Sequence, residues 1–324
     1  LAIFSSGAVR ITNLVSTSAQ GGSGVFVYNI FGLPQPVTIL GAVLSGNLEH
    51  GASITTKGAV LAAGIQASEN QWTGLAIEQS SLATGSIVVS GSLGLNRFNG
   101  NVTGKGLWIN SYRNVSLSSI QAVDNGIGGV RVNGKGLASN VTLVNVEASG
   151  STGVGEGGVD VYTSGVVLLD RVTANGNAAD GIYIDNQDTD YARAVTVRNS
   201  TASDNGEDGI EVLSKGAISL SNVTASGNGK SGAYLNSANL GSLLQGITVL
   251  KSTFDGNQTG LWVISYRTIT FTSINANGNV SSGIMADNSQ SDLYSPIVVN
   301  GISQVNRNGD DPSNLSKGLW LASS

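Results

Sequence analysis

Along the chain, short alternations of apolar and polar residues recur, each opened by a glycine. The pattern is glycine, apolar, any residue, apolar. It occurs at Gly24-Val-Phe-Val, Gly74-Leu-Ala-Ile, Gly106-Leu-Trp-Ile, Gly129-Val-Arg-Val and Gly158-Val-Asp-Val. It continues at Gly181-Ile-Tyr-Ile, Gly209-Ile-Glu-Val, Gly232-Ala-Tyr-Leu, Gly260-Leu-Trp-Val, Gly283-Ile-Met-Ala and Gly318-Leu-Trp-Leu, with Gly51-Ala-Ser-Ile a weaker copy. A period of two over a few residues, bounded by Gly and Asn, predicts strands. No stretch carries the 3.6-residue period and caps of a helix. The twelve starts lie about 27 residues apart on average, which marks a repeat architecture.

The spacings alternate between short and long. Gly51 to Gly74, Gly106 to Gly129, Gly158 to Gly181, Gly209 to Gly232 and Gly260 to Gly283 are each 23 residues. A second strand follows each first one. It starts at Val60, Val115, Val167, Ile218 and Ile269 in the short turns, and at Val37, Ile87, Val141, Val195, Ile247 and Ile297 in the long ones. The extra residues of long turns therefore enter at one place, just after the first strand. A third, shorter strand is expected at segments such as Val172-Thr-Ala, Val223-Thr-Ala and Ile274-Asn-Ala.

Nine Asn-Gly pairs punctuate the chain, and both residues tolerate the left-handed backbone of tight turns. Asn also stands four residues before the glycine at Asn47, Asn70, Asn125, Asn177, Asn205, Asn228, Asn279 and Asn314. In turns stacked in register, these amides would lie over one another and hydrogen-bond along the stack. The prediction is all-β: a single-stranded parallel β-solenoid of about 11–12 turns, each of 23–35 residues, spanning 1–324 as one domain.

Composition narrows the function classes. Gly numbers 45 of 324 residues, charged residues are 11%, and hydrophobic residues are 40%. That balance supports a packed core rather than disorder. With a net charge of −5, nucleic acid is a poor partner. No run of apolar residues is long enough to insert into a membrane as a helix. The absence of Cys removes any disulfide framework, and a single His (His50) argues against histidine-based catalysis or zinc binding. The chain begins and ends inside the repeat, which leads us to expect a segment of a longer protein.

With its glycine-led strands and Asn-rich turns, the chain resembles the right-handed parallel β-helix superfamily of pectate-lyase-like proteins. The resemblance implies right-handed winding. It also implies a range of activities, from polysaccharide lyases, glycoside hydrolases and epimerases to tailspikes and surface adhesins. The Asn-Thr-Asp, Asp-Asp and Gly-His-Gly segments of polygalacturonases are missing, as is the Asp-Pro-His-Asp of alginate epimerases. Gly21-Gly22-Ser23-Gly24 lacks the Asp of calcium-binding nonapeptides.

Residues between the two apolar positions of each first strand should face outward. They form one column: Phe26, Ser53, Ala76, Trp108, Arg131, Asp160, Tyr183, Glu211, Tyr234, Trp262, Met285 and Trp320. A second column holds Tyr28, Thr55, Glu78, Asn110, Asn133, Tyr162, Asp185, Leu213, Asn236, Ile264, Asp287 and Ala322. Aromatic residues on an outward face suit sugar rings or a protein partner. The candidate binding residues are Phe26, Tyr28, Trp108, Tyr162, Tyr183, Tyr234, Trp262 and Trp320. Asp160, Asp185 and Glu211 fall on successive turns as diagonal neighbours. This spacing admits a glycosidase carboxylate pair or a calcium site, and Arg131 neutralising Asp160 is the bland alternative. Lys57, Arg113, Lys215 and Arg267 on short turns face Glu78, Asp185, Asp188, Asp190, Asp287 and Asp292 on long ones, which predicts cross-turn ion pairs.

The expected role is that of a non-catalytic, extracellular structural or adhesive rod on a bacterial surface or secreted protein. It needs no cofactor, and its partner is a polysaccharide or another surface protein. The enzymatic alternative is a polysaccharide lyase or glycoside hydrolase using Asp160, Asp185 and Glu211. A third alternative is a filament subunit that stacks end to end with copies of itself.

Overall fold

The structure, a computed structural model, describes residues 1–136, 139–187, 193–238, 245–289, 295–301, 303–309 and 318–323. Asp188, Asp190, Asp292 and Asn314 lie outside the described residues. The chain divides into two compact units, Leu1–Gly165 and Val166–Ser324. Each is a parallel β-solenoid.

In the first unit, the glycine-led strands form one parallel sheet: Ala2–Phe4, Val25–Asn29, Ala52–Thr56, Leu75–Gln79, Lys105–Ser111, Gly128–Gly134 and Val159–Thr163. Only Ala2–Phe4 lacks a glycine ahead of it, so the sequence pattern misses it. A second parallel sheet holds Val9–Thr12, Val37–Leu40, Val60–Ala63, Ile87–Ser90, Val115–Gln121 and Val141–Glu147. The second unit repeats the plan. Its first sheet runs from Ile182–Asn186 through Ile210–Ser214, Ser231–Asn236, Thr259–Ile264 and Ile284–Asn288 to Leu319–Ser323. Its second sheet runs from Val167–Thr173 through Val195–Arg198, Ile218–Ser221, Ile247–Leu250 and Ile269–Thr272 to Ile297–Asn300. All eleven second-strand starts fall where the sequence puts them.

Register explains why the pattern is legible. Val25, Ala52 and Leu75 are partners across turns, as are Ile182, Ile210 and Ala233. Like therefore stacks on like, and the inward residues close a core in which Val27, Ile54, Leu107, Val132, Ile184 and Val212 are fully buried or nearly so. The third side is thinner than expected. Apart from Asn96–Arg97 and the extended ends of the longest second strands, it consists of single bridges such as Thr201 to Thr224 and Thr253 to Asn275.

Four residues after every second-strand start but Ile87, which a 3-10 turn at Gly91–Leu93 follows, the backbone bends through a left-handed conformation. The bend residues are Asn13, Gly41, Gly64, Ser119, Asn145, Arg171, Asn199, Asn222, Lys251, Ser273 and Gly301, with φ of 50–68°. Asn or Gly takes seven of these eleven places, whereas arginine and lysine at Arg171 and Lys251 give no such signal.

Two Asn ladders stitch the opposite corner. Asn47, Asn70, Asn101 and Asn125 form one, each amide oxygen accepting from the backbone N–H and side-chain Nδ2 of the preceding member at 2.9–3.1 Å. Asn177, Asn205, Asn228, Asn257, Asn279 and Asn308 form the other. Asn101, Asn257 and Asn308 escape the four-residue rule because the link between ladder and glycine varies in length. The ladder also explains the glycines: a Cβ on Gly181 would lie 2.6 Å from Nδ2 of Asn205 and 2.6 Å from the Gly209 carbonyl oxygen.

Two of the short-turn cations are tied differently from the expected ion pairs. Lys57 Nζ donates to the Gly32 carbonyl at 3.4 Å, and Arg113 Nε donates to the Ala83 carbonyl at 2.6 Å. These cations cap backbone carbonyls of the preceding loop instead of meeting carboxylates.

Candidate carboxylate and aromatic site

The two outward columns exist as aligned rows. Phe26, Ser53, Ala76, Trp108, Arg131 and Asp160 are register partners in the first unit, and Tyr183, Glu211, Tyr234, Trp262, Met285 and Trp320 in the second. The same pairs align Tyr28 to Tyr162 and Asp185 to Ala322 in the second column.

The densest chemistry lies in the second unit. Asp180 and Asp208 immediately precede Gly181 and Gly209, and Glu211 follows two residues after Gly209. One carboxylate oxygen from each lies within 4.8 Å of those of the other two. Stacking places them so: the Asp208 N–H donates to Asp180 Oδ1 at 2.8 Å, and the Ser231 N–H donates to Asp208 Oδ1 at 2.6 Å. Both Asp side chains are buried, whereas Glu211 is half-buried.

Burial first, then the charges of Asp180 and Asp208, push the Glu211 carboxyl up to about 7. Burial also pushes Asp180 up to about 6, aided by the charges of Asp208 and Glu207 and opposed by the backbone bond from Asp208. Asp208 is raised by burial against the bonds from Ser231. Lys230, exposed and paired with Glu207 at 3.2 Å, tempers the cluster. Near neutral pH the three carboxyls therefore cannot all be charged, and one proton is shared among them.

Aromatic residues flank this cluster. Glu211 stands in register between Tyr183 and Tyr234. The Tyr234 ring lies 5.1 Å from Trp262, whose side chain is exposed, and the Tyr234 hydroxyl accepts from Asn236 Nδ2 at 3.0 Å.

Residues 157–310, just under half of the chain, match a family model described as a right-handed β-helix region. The fold is a parallel β-helix. Among solved structures, the chain is similar to the A-module of the mannuronan C-5 epimerase AlgE4 of Azotobacter vinelandii, with 15% identity, a TM-score of 0.44, and coverage of 98% of this chain and 90% of that one. No curated protein matches the chain in sequence.

The β-helix distributes the other sequence-predicted residues over distinct settings. Asp160 is buried, and both its carboxylate oxygens accept from the Gly157 N–H at 3.2 Å. Asp185 is in register with Leu213, one column away from Glu211, and accepts from the Gln187 N–H. Of the three candidate carboxylates, the metal-competent cluster among the described residues thus contains Glu211 alone, joined by Asp180 and Asp208. Sequence reasoning passed over that pair, although an Asp directly before glycine on two consecutive turns was the available signal.

Arg131 is the register partner of Asp160, but its guanidinium pairs with Glu156 at 2.9 Å and sits 4.7 Å above the Tyr162 ring. Phe26 and Tyr28 cluster with Phe4, and Tyr28 also meets Phe31. Trp108 lines a groove with Trp72, another residue that the column pattern leaves out. Trp320 lies in the strand Leu319–Ser323, half-buried beside Met285 in register.

Proposed function

We propose that this β-helix binds a polysaccharide on the outward face of its glycine-led sheet. The observation that carries this reading is the row Tyr183, Glu211, Tyr234 and Trp262. Flat aromatic faces set along successive turns offer apolar area to sugar C–H faces, while a carboxyl between them can bond hydroxyls. This role fits a secreted or surface-attached protein.

The carboxyl cluster supports a second reading, cleavage of the bound chain. A carboxyl held near 7 keeps a proton available at neutral pH, and a close partner can stay ionised. In that reading Glu211 donates the proton to the leaving oxygen, and Asp208 or Asp180 is its charged partner.

One experiment tests both. The protein is incubated with a panel of neutral and acidic polysaccharides, and retention and chain release are recorded together. Binding predicts retention on at least one polymer that falls about tenfold in Tyr234→Ala and Trp262→Ala. Release of shorter chains that disappears in Glu211→Gln establishes cleavage. Neither retention nor release overturns the glycan reading and leaves a structural rod or self-assembling subunit.

A further inference from the structure

The first unit holds a groove of about 290 Å³ that the outward columns do not explain. Its walls include His50, Trp72, Thr103, Lys105, Trp108 and Ile127. Trp72 is 47% exposed, a large apolar side chain left open in a turn rather than folded into the core. It is held in place from the preceding turn, where the His50 ring meets it edge-on at 5.3 Å and 74°. Trp108 comes from the strand of the next turn, so the two indoles belong to adjacent turns.

The polar lining is equally specific. Thr103 Oγ1 donates to the Gln71 carbonyl at 2.7 Å, which leaves its oxygen lone pairs as acceptors. Lys105 Nζ is held by Glu156 at 3.0 Å, a carboxylate that Arg131 also uses at 2.9 Å, so two cations share one negative charge beside the groove. His50 Nδ1 is buried with no hydrogen-bond partner among the described residues. Burial lowers the imidazole pKa, so the ring is neutral at neutral pH, with one donor and one acceptor nitrogen. Two indole faces, a hydroxyl and an ammonium are complementary to a small ligand with apolar faces and hydroxyl edges. The volume is at the lower end for small-ligand sites, enough for one or two sugar rings.

From this we infer that the groove between Trp72 and Trp108 is a saccharide subsite that takes a pyranose unit. It rests on the glycan reading of the protein but uses residues outside the Tyr183–Trp262 row.

His50 is the only histidine of the chain, so its imidazole C–H resonances form a single reporter inside the groove. The protein is titrated with cellobiose and, separately, with galacturonate, and the His50 signals are followed by NMR. The inference predicts a saturable shift with cellobiose, and binding of galacturonate at least as tight because two cations share the Glu156 carboxylate. Trp72→Ala should weaken cellobiose binding about five- to tenfold, and Thr103→Val should weaken it while leaving the His50 signals of the free protein in place. Trp262→Ala should leave the shift unchanged. A His50 signal unmoved by cellobiose, or moved equally in Trp72→Ala, overturns the subsite. If polymer retention occurs while His50 stays unmoved, the subsite fails and the outward row stands. If His50 shifts without retention on any polymer, the row fails and the subsite stands.

Discussion

Asparagines in the interior of the ladders perform two tasks, accepting bonds from the turn before and donating to the turn after. Asn205 accepts from the backbone N–H and Nδ2 of Asn177 at 2.9 and 3.0 Å and donates to Asn228 Oδ1. Replacing it with alanine strands the buried Asn177 N–H and the amide on each side. We expect Asn205→Ala to lose about 3 kcal/mol of unfolding free energy, read from urea denaturation, because unmet buried polar groups cost about 1–3 kcal/mol each. An unchanged midpoint would mean that water replaces the lost amide. The ladders also separate the eight Asn-x-Ser/Thr segments. Asn101, Asn257 and Asn279 are ladder members and buried, whereas Asn114, Asn140, Asn199 and Asn222 are exposed. A motif that reads as a surface modification signal is therefore in part a by-product of ladder asparagines followed by strand residues.

At the level of strands and turns, the sequence was legible where packing repeats and illegible where backbone geometry decides. Glycine-led strands and second strands announce themselves because inward residues must be apolar at a period of two in every turn. The left-handed corner does so only in part: Asn and Gly take seven of its eleven places, but Ser119, Arg171, Lys251 and Ser273 are held in it by their neighbours. Left-handed backbone costs a non-glycine residue roughly 1–2 kcal/mol. Lys251 is exposed with φ of 50°, and its side chain is not needed there. Lys251→Gly should raise stability by about 1 kcal/mol after the larger entropy of an unfolded glycine is counted, and a thermal melt will show the gain or its absence. The candidate site was half legible for the same reason. Glu211 and its aromatic neighbours follow strand alternation, which a period of two exposes. Asp180 and Asp208 sit in turns, and so does Trp72. Their meeting depends on how each turn approaches the next strand, which no periodicity encodes.

For the molecule as a whole, the crowded carboxyls couple folding to protonation. Asp180 and Glu211 hold protons up to about 6 and about 7 in the folded state, above their ordinary values. Between about pH 4.5 and 7 the folded protein therefore binds more protons than the unfolded chain, and these groups make stability fall as pH rises through that window. His50, with its lowered pKa, acts in the opposite direction just below its ordinary value. The difference between wild type and Glu211→Gln isolates the cluster. The variant should melt less sensitively to pH from 5 to 8, and parallel profiles would refute the shared proton. A last consequence follows from where turns change length. In all six long turns three to six extra residues enter after the first-sheet strand, and the turns that lead to Gly106, Gly158 and Gly318 also gain residues after the second strand. Length variation thus falls in the links between strands, so descendants of this chain can lengthen and diversify those links without disturbing the register that holds the rest.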